Sequence, residues 1–164
     1  MPQSPTPVDT LTWTCKPFAA LSLQELYDIL HARCQVFIVE QVAFQDMDGK
    51  DQDSWHLQGR DAQGVLQSYS RLLPPGLAYP EEGEPSIGRV LAMEAVRGTG
   101  AGWELMRHGM AEVARMWPGA SIRIGAQAYL QKFYEGCGFV VVSEPYLEDG
   151  IPHMTMLYQP AQGV

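Results

Sequence analysis

Apolar residues along this chain recur with a period of two in some stretches and of three to four in others, and the switches between periods predict the order of elements. Leu11 to Phe18 alternates loosely and is rich in Thr and Trp, which predicts a first strand. Ser22-Leu23-Gln24-Glu25 has the form of a capping box, with Leu21 and Leu26 at staple positions, so a helix starts there. On it Leu23, Leu26, Tyr27, Leu30 and Cys34 share a face, which assigns Tyr27 to the core. Trp55 to Leu57 and Val65 to Leu73 read as two strands joined at Asp61-Ala62-Gln63-Gly64. Pro74 to Pro85 is a surface loop, and Ser86 to Met93 the next strand. From Trp103 the apolar positions Met106, Met110, Val113 and Trp117 step by 3, 4, 3 and 4, marking a helix that Pro118-Gly119 ends. Ser121 to Ala126 resumes strand character, Tyr129 to Cys137 is a short helix closed by Gly138, and Val140 to Val142 with Met154 to Leu157 complete the sheet. Tyr146 to Pro152 is the connecting loop. Strand, helix, three strands, helix, strand, helix, two strands is a mixed α/β (α+β) pattern rather than strict βαβ alternation.

Composition narrows the class. The 164 residues suit one domain, expected over 11–160 behind a disordered leader, 1–10. Met1-Pro2-Gln3-Ser4-Pro5-Thr6-Pro7 has neither a basic start nor an apolar core, so it is not a secretion signal. No apolar run approaches the ~20 residues that span a bilayer, so no membrane partner is expected. Cys15, Cys34 and Cys137 are odd in number and widely spaced, which points to reduced thiols in a cytoplasmic protein, not to a disulfide framework or a zinc site. A formal charge of −8 disfavours nucleic acid. An acidic surface attracts a cationic acceptor, while an anionic cofactor must find local donors. The acidic stretch from Asp46 to Asp53 fails the EF-hand register and reads as a solvated loop, so no metal is expected.

The candidate chemistry starts at Arg97-Gly98-Thr99-Gly100-Ala101-Gly102, between a strand and a helix. Glycines there permit positive φ and close approach, and the helix start adds free N–H donors to an anion. Arg97 adds a forked cation. No Lys follows the glycines as a P-loop requires, and Trp103 stands where a dinucleotide fingerprint breaks. A glycine-rich surface turn without a ligand is the alternative.

The pattern Arg-x-x-Gly-x-Gly resembles the pyrophosphate loop of the GNAT acyltransferases, and Phe133-Tyr134-Glu135-Gly136-Cys137-Gly138-Phe139 is similar to that family's Tyr-x-x-x-Gly-Phe segment. Glu25-Leu26-Tyr27, Arg33 with Val36 to Gln41, Asp48-Gly49-Lys50-Asp51, Ile87-Gly88-Arg89-Val90, Ala126-Gln127-Ala128 and Glu148 to His153 resemble its ElaA-like branch. The resemblance spans roughly residues 18 to 157 and implies the GNAT acyl-CoA N-acyltransferase fold. That fold has a mixed central sheet of about seven strands, a splayed fourth and fifth strand and about four helices. The implied reaction is direct transfer of an acetyl group from acetyl-CoA to a primary amine of a small molecule or protein.

By the same resemblance, main-chain groups of Leu91, Ala92 and Met93 meet the pantetheine arm. Arg97, Gly98, Thr99, Gly100, Ala101, Gly102 and Trp103 hold the pyrophosphate, and Gln127 and Phe133 join the cofactor site. Tyr134 is the general acid to the leaving sulfur, or else an aromatic packed beneath the cofactor. Glu40, His56 and His153 are alternative bases. Each has a structural alternative: Glu40 paired with Arg33, His56 hydrogen-bonded in its strand, His153 anchoring a turn. Cys137 reads as a packed thiol, not a nucleophile. A non-catalytic acyl-CoA sensing module and an unrelated nucleotide-phosphate binder are the competing readings. Exposed strand edges and a Met-rich helix are compatible with a homodimer.

Overall fold

The capping box at Ser22 is formed: its Oγ accepts from the Glu25 N–H at 3.0 Å, and Glu25 Oε2 accepts from the Ser22 N–H at 2.8 Å. Helix α1, Leu23–Arg33, starts there and runs on into a π-helical turn, Cys34–Val39. The computed structural model describes residues 10–162, so the expected leader lies outside the described residues except for Thr10. Strands β1 (Thr12–Pro17), β2 (Trp55–Arg60), β3 (Leu66–Leu73) and β4 (Ser86–Ala92) form an antiparallel sheet in chain order. Helix α2, Ala101–Met116, leads to β5 (Ile122–Gln127), and α3, Gln131–Gly136, follows. β5 pairs with β8 (Ile151–Tyr158), whose other edge carries β6 (Val140–Val141) and β7 (Tyr146–Glu148).

Among the described residues there are thus two four-stranded sheets and three α-helices, not one sheet of about seven strands with about four helices. The sheets separate between β4 and β5. At their starts the Arg123 N–H donates to the Pro85 carbonyl at 3.1 Å, and no ladder follows. Against β3, the β4 register shifts where Tyr69 faces Leu91 but Arg71 faces Gly88, and Arg89 takes φ 49° there. Such a bulge kinks the strand and interrupts its pairing with β3, which resumes at Leu91 and Ala92. The loop expected over Tyr146–Pro152 is instead β7, a tight turn with positive φ at Asp149 (50°) and Gly150 (75°), and the start of β8. Asp-Gly between strands is the usual signal for that turn.

One apolar cluster, with Leu72, Met106, Ile124, Phe139 and Met156, lies under α2 and α3. A second, with Ile29, Val36, Leu66, Tyr69 and Leu91, lies under α1. The buried face of α1 is Ile29, Ala32 and Arg33, whereas Leu23 is 88% and Tyr27 69% exposed and Cys34 is also outside. Tyr27 is therefore not a core residue. The apolar stripe misplaced the face because its inward side carries a charged residue, Arg33, which hydrophobicity cannot place inside.

Arg33 is wholly buried, with Nε 2.9 Å from Asp46 Oδ2 and Nη1 2.7 Å from Asp51 Oδ1. Arg71 donates to Asp51 at 2.9 Å and to both oxygens of Asp48 at 2.8 Å. Arg89 Nε reaches Asp46 Oδ1 at 2.9 Å. The acidic stretch is therefore not a solvated loop: three of its carboxylates neutralise three arginines. His56 adds Nδ1 to the Tyr69 hydroxyl at 2.7 Å and Nε2 to the Asp51 carbonyl at 2.9 Å.

Removing one partner of such a cluster strands a buried charge, so Asp51→Asn is expected to cost ~3 kcal/mol in urea unfolding. The wild-type pH dependence has a fixed sign. Burial raises the Asp51 carboxyl, but hydrogen bonds and charge from Arg33 and Arg71 outweigh it and leave it below the ordinary value. Burial depresses His56. Both groups thus stabilise the fold above their unfolded pKa values, and stability falls as pH drops below about 6.5 through His56 and below about 4 through Asp51. Urea midpoints measured from pH 8 to pH 3 should show both declines, and the lower one should shrink in Asp51→Asn.

Candidate active site

The separation of β4 from β5 opens a cleft with a cavity at each end. At one end the chain leaves β4, makes a short 3-10 turn at Glu94–Val96 and enters α2 through the glycines. Gly98 has φ 77° and Gly100, the α2 N-cap, φ 87°, with open space where a Cβ would stand. It is the left-handed backbone, not crowding, that selects glycine there. No side chain caps this helix, so the N–H groups of its first turn point outward as donors. A cavity of about 540 Å³ opens beside them, lined by Gly98, Gly100, Gly102, Trp103, Lys132 and Phe133 among others. Trp103 is 53% exposed at its rim and 6.3 Å from the Phe133 ring.

Several groups that the sequence reading sent to a ligand are engaged within the chain. Arg97 donates from Nε to the Ala92 carbonyl at 2.9 Å and from Nη2 to Glu40 Oε2 at 2.7 Å. The Met93 N–H donates to the Gln67 carbonyl at 2.8 Å, and Thr99 Oγ1 to the Val96 carbonyl at 2.6 Å. Leu91 is buried against α1. Gln127 donates to Gln41 Oε1 at 3.2 Å. Glu40 pairs with Arg97 rather than with Arg33. Glu40 and Gln41, at the end of the π-helical turn, therefore reach both lips of the cleft.

At the other end a larger, mostly polar cavity of about 580 Å³ lies between β4, β5, the 41–50 segment and the β7–β8 hairpin. Tyr134, on α3, lines it, with its ring edge-on to Phe133 (5.1 Å) and Phe139 (6.1 Å). Burial pushes its hydroxyl well above the ordinary tyrosine range. Cys137 nearby is half-buried, and burial pushes its thiol up to about 11. His153 lines the same cavity. Its Nδ1 is 2.7 Å from the Ile151 carbonyl, which accepts only, so the ring proton sits on Nδ1. Nε2 is left 3.4 Å from Glu148 Oε2. His56 has both ring nitrogens occupied and lines neither cavity. Of the three base candidates, the structure brings only His153 to Tyr134's cavity.

Lys132, Tyr79, Tyr146, Glu148 and Arg89 line the cavities but are not among the sequence-predicted site residues, although Arg89 and Glu148 lie within the ElaA-like segments. Lys132 stands beside the predicted Phe133, and Glu148 is placed by the Asp-Gly turn, so both had signals. Tyr79 had none, being in a loop. Among the described residues no group of three or more His, Cys, Asp or Glu could hold a metal ion, and no helix is long and apolar enough to cross a membrane.

Two glycine replacements separate conformation from space. Gly100→Ala forces an alanine to φ near 87° and is expected to cost ~1–2 kcal/mol. Gly102→Ala places a Cβ 3.5 Å from the Phe133 ring, an ordinary contact, and should leave urea stability within ~0.5 kcal/mol of wild type.

Residues 34–159 match the model of the acetyltransferase (GNAT) domain. Protein ElaA of Escherichia coli is 39% identical over 156 residues, covering 93% of this chain and 99% of its own, and its crystal structure superposes with a TM-score of 0.83. An acyl-CoA N-acyltransferase from Pseudomonas aeruginosa is 44% identical, with a TM-score of 0.83 over 90% of this chain and 99% of that one. A UPF0039 protein of Synechocystis is 39% identical over 91% of this chain and 96% of its own. The loop, the cleft and these likenesses agree, and the chain belongs to the GNAT acetyltransferase family, on its ElaA-like branch.

Proposed function

We propose that this protein transfers an acetyl group from acetyl-CoA directly to a primary amine within a ternary complex. The observation that carries this reading is the cleft itself, with uncapped helix N–H groups at one end and Tyr134 with His153 at the other. The uncapped α2 turn and Lys132 supply positive potential, and the two left-handed glycines let a pyrophosphate approach the main chain, so the loop fits that group. Acetyl-CoA supplies an activated acyl thioester.

The chain's own residues do the rest. Leu91, Ala92 and Met93 flank the pantetheine path, and a main-chain N–H near Leu91 is the donor to the oxygen that gains charge. Gln127 and Phe133 bound that path on the β5 side. Arg97 steadies the loop through the Ala92 carbonyl while Glu40 holds its outer face. His153 Nε2 takes a proton from the acceptor ammonium. Tyr134, held neutral by burial, donates its proton to the departing sulfur. The nitrogen's second proton leaves as the amide forms and, through solvent, restores the Tyr134 hydroxyl, while the proton on His153 is released, one per turnover. The free thiols of Cys15, Cys34 and Cys137 suit a cytoplasmic setting.

Thermal shift with acetyl-CoA against ATP and NAD tests the donor, and thiol release across an amine panel tests the reaction. Acetyl-CoA is expected to raise Tm where ATP and NAD do not. Tyr134→Phe should lower kcat about a hundredfold while retaining the acetyl-CoA shift. His153→Gln should lower kcat at least tenfold while retaining the acetyl-CoA shift. Stabilisation by acetyl-CoA without turnover on any amine would identify a sensing module instead, and stabilisation by ATP or NAD alone would sink both.

A further inference from the structure

Most polar side chains of the larger cavity are already engaged. Arg71 and Arg89 face Asp46, Asp48 and Asp51, and Gln127 meets Gln41. Two tyrosines are different. Tyr79, from the 74–85 loop, and Tyr146, first in β7, bring their hydroxyls to one point: a Cβ built on Gly125 would stand 3.1 Å from the Tyr146 oxygen and 3.4 Å from that of Tyr79. Gly125 is exposed in the middle of β5, two residues before Gln127. Among the described residues nothing hydrogen-bonds either hydroxyl.

The charge around this point is negative. Glu148, two residues after Tyr146, is largely exposed and close enough to act on Tyr79. Burial, reinforced by Tyr146 and Glu148, pushes the Tyr79 hydroxyl up to about 12, so it stays neutral and presents lone pairs. Arg123 lies 5.9 Å over the Tyr79 ring but is spent on both oxygens of Glu84, at 3.1 and 3.0 Å. Of the lysine and arginine residues lining the cavity, Lys50 alone has no carboxylate partner among the described residues, against two lining carboxylates, Glu148 and Asp149, that have no lysine or arginine partner.

We infer that Tyr79, Tyr146 and Glu148 form the subsite for the acceptor's ammonium group, over Gly125, and that the acceptor is a small primary alkylamine on a neutral or cationic carrier. The inference rests on the acetyl-transfer reading and names its acceptor class. Two phenolic oxygens and a carboxylate satisfy the three N–H donors of an alkylammonium. The same carboxylate lies 3.4 Å from His153 Nε2, so the ammonium it holds is beside the base that discharges it. A carboxylate next to the amine, as in an α-amino acid, would face Glu148 and Asp149 and be repelled. Gly125 lets both hydroxyls come this close to β5, since a Cβ there would crowd the Tyr146 oxygen at 3.1 Å.

The test uses the full chain, labelled with ¹⁵N, and two isosteric probes at pH 7, butylamine as its ammonium and butyrate. Butylamine should shift the Gly125 amide resonance saturably and butyrate should not. Tyr146→Phe and Glu148→Gln alter exposed side chains, keep the fold, and should each weaken the butylamine response about tenfold. An equal response to butyrate, or undiminished binding in both variants, overturns the inference. This arm needs no acyl donor, so it is decided separately from the acetyl-CoA thermal shift. In thiol release, butylamine should exceed norleucine in kcat/KM at least tenfold, and the reverse order also overturns it.

Discussion

A largely buried cluster of three arginines and three aspartates ties the 46–51 segment to the first sheet, and the larger cavity of the cleft depends on it. Such a cluster is a weak source of net stability, because desolvating its charges offsets much of their attraction. Its effect is geometric. Arg33 comes from the end of α1, Arg71 from β3 and Arg89 from the β4 bulge, so satisfying all three fixes one position for the segment that supplies Phe44, Asp48 and Lys50 to the larger cavity. An apolar cluster would tolerate sliding; a hydrogen-bonded array of guanidinium forks does not.

The same residues link the two ends of the molecule. Arg89 stands at the bulge that interrupts the β3–β4 ladder, and the Arg123–Pro85 hydrogen bond with the Arg123–Glu84 pair holds the start of β4 against β5. The strands are thus joined at their starts and free to diverge toward Ala92 and Gln127. Beyond the divergence, Glu40 on Arg97 and Gln41 on Gln127 span the opening. Rigid anchoring at the starts with lighter polar contacts at the ends is how a sheet keeps a cleft open without losing its core to water.

What the sequence disclosed depended on whether local pattern and global role coincided. The Ser22–Glu25 box, the Asp61–Gly64 hairpin and the α2 stripe were readable because propensity and burial agree there. Gly98 and Gly100 were readable because left-handed backbone leaves a compositional mark. The face of α1 and the meaning of the Asp46–Asp53 stretch were not. In both cases the decisive partners are distant in sequence, Arg33 with Asp46 and Arg71 with Asp48 and Asp51, and a charge reads as solvent-facing until its counter-charge is known. Motifs put three candidate bases forward without ranking them, and only the hydrogen bonds show that both ring nitrogens of His56 are occupied and that Glu40 is paired with Arg97, while His153 lines the larger cavity.

The overall charge of −8 poses an apparent conflict for a protein whose proposed donor is a polyanion. The two cavities resolve it by using different kinds of positive and negative potential. At the glycine loop attraction comes from fixed N–H dipoles at the α2 start, which act within one helical turn and do not require a basic surface. At the opposite end the excess negative charge sits on exposed carboxylates of the β7–β8 hairpin, where a cation can approach from solvent. Because dipoles reach only a few ångströms and net charge reaches a Debye length, the acidic surface can steer a cationic acceptor without cancelling the local grip on the anion. The order of elements makes this separation possible, since α2 begins at the end of β4 while the hairpin lies across β5, on either side of one cleft.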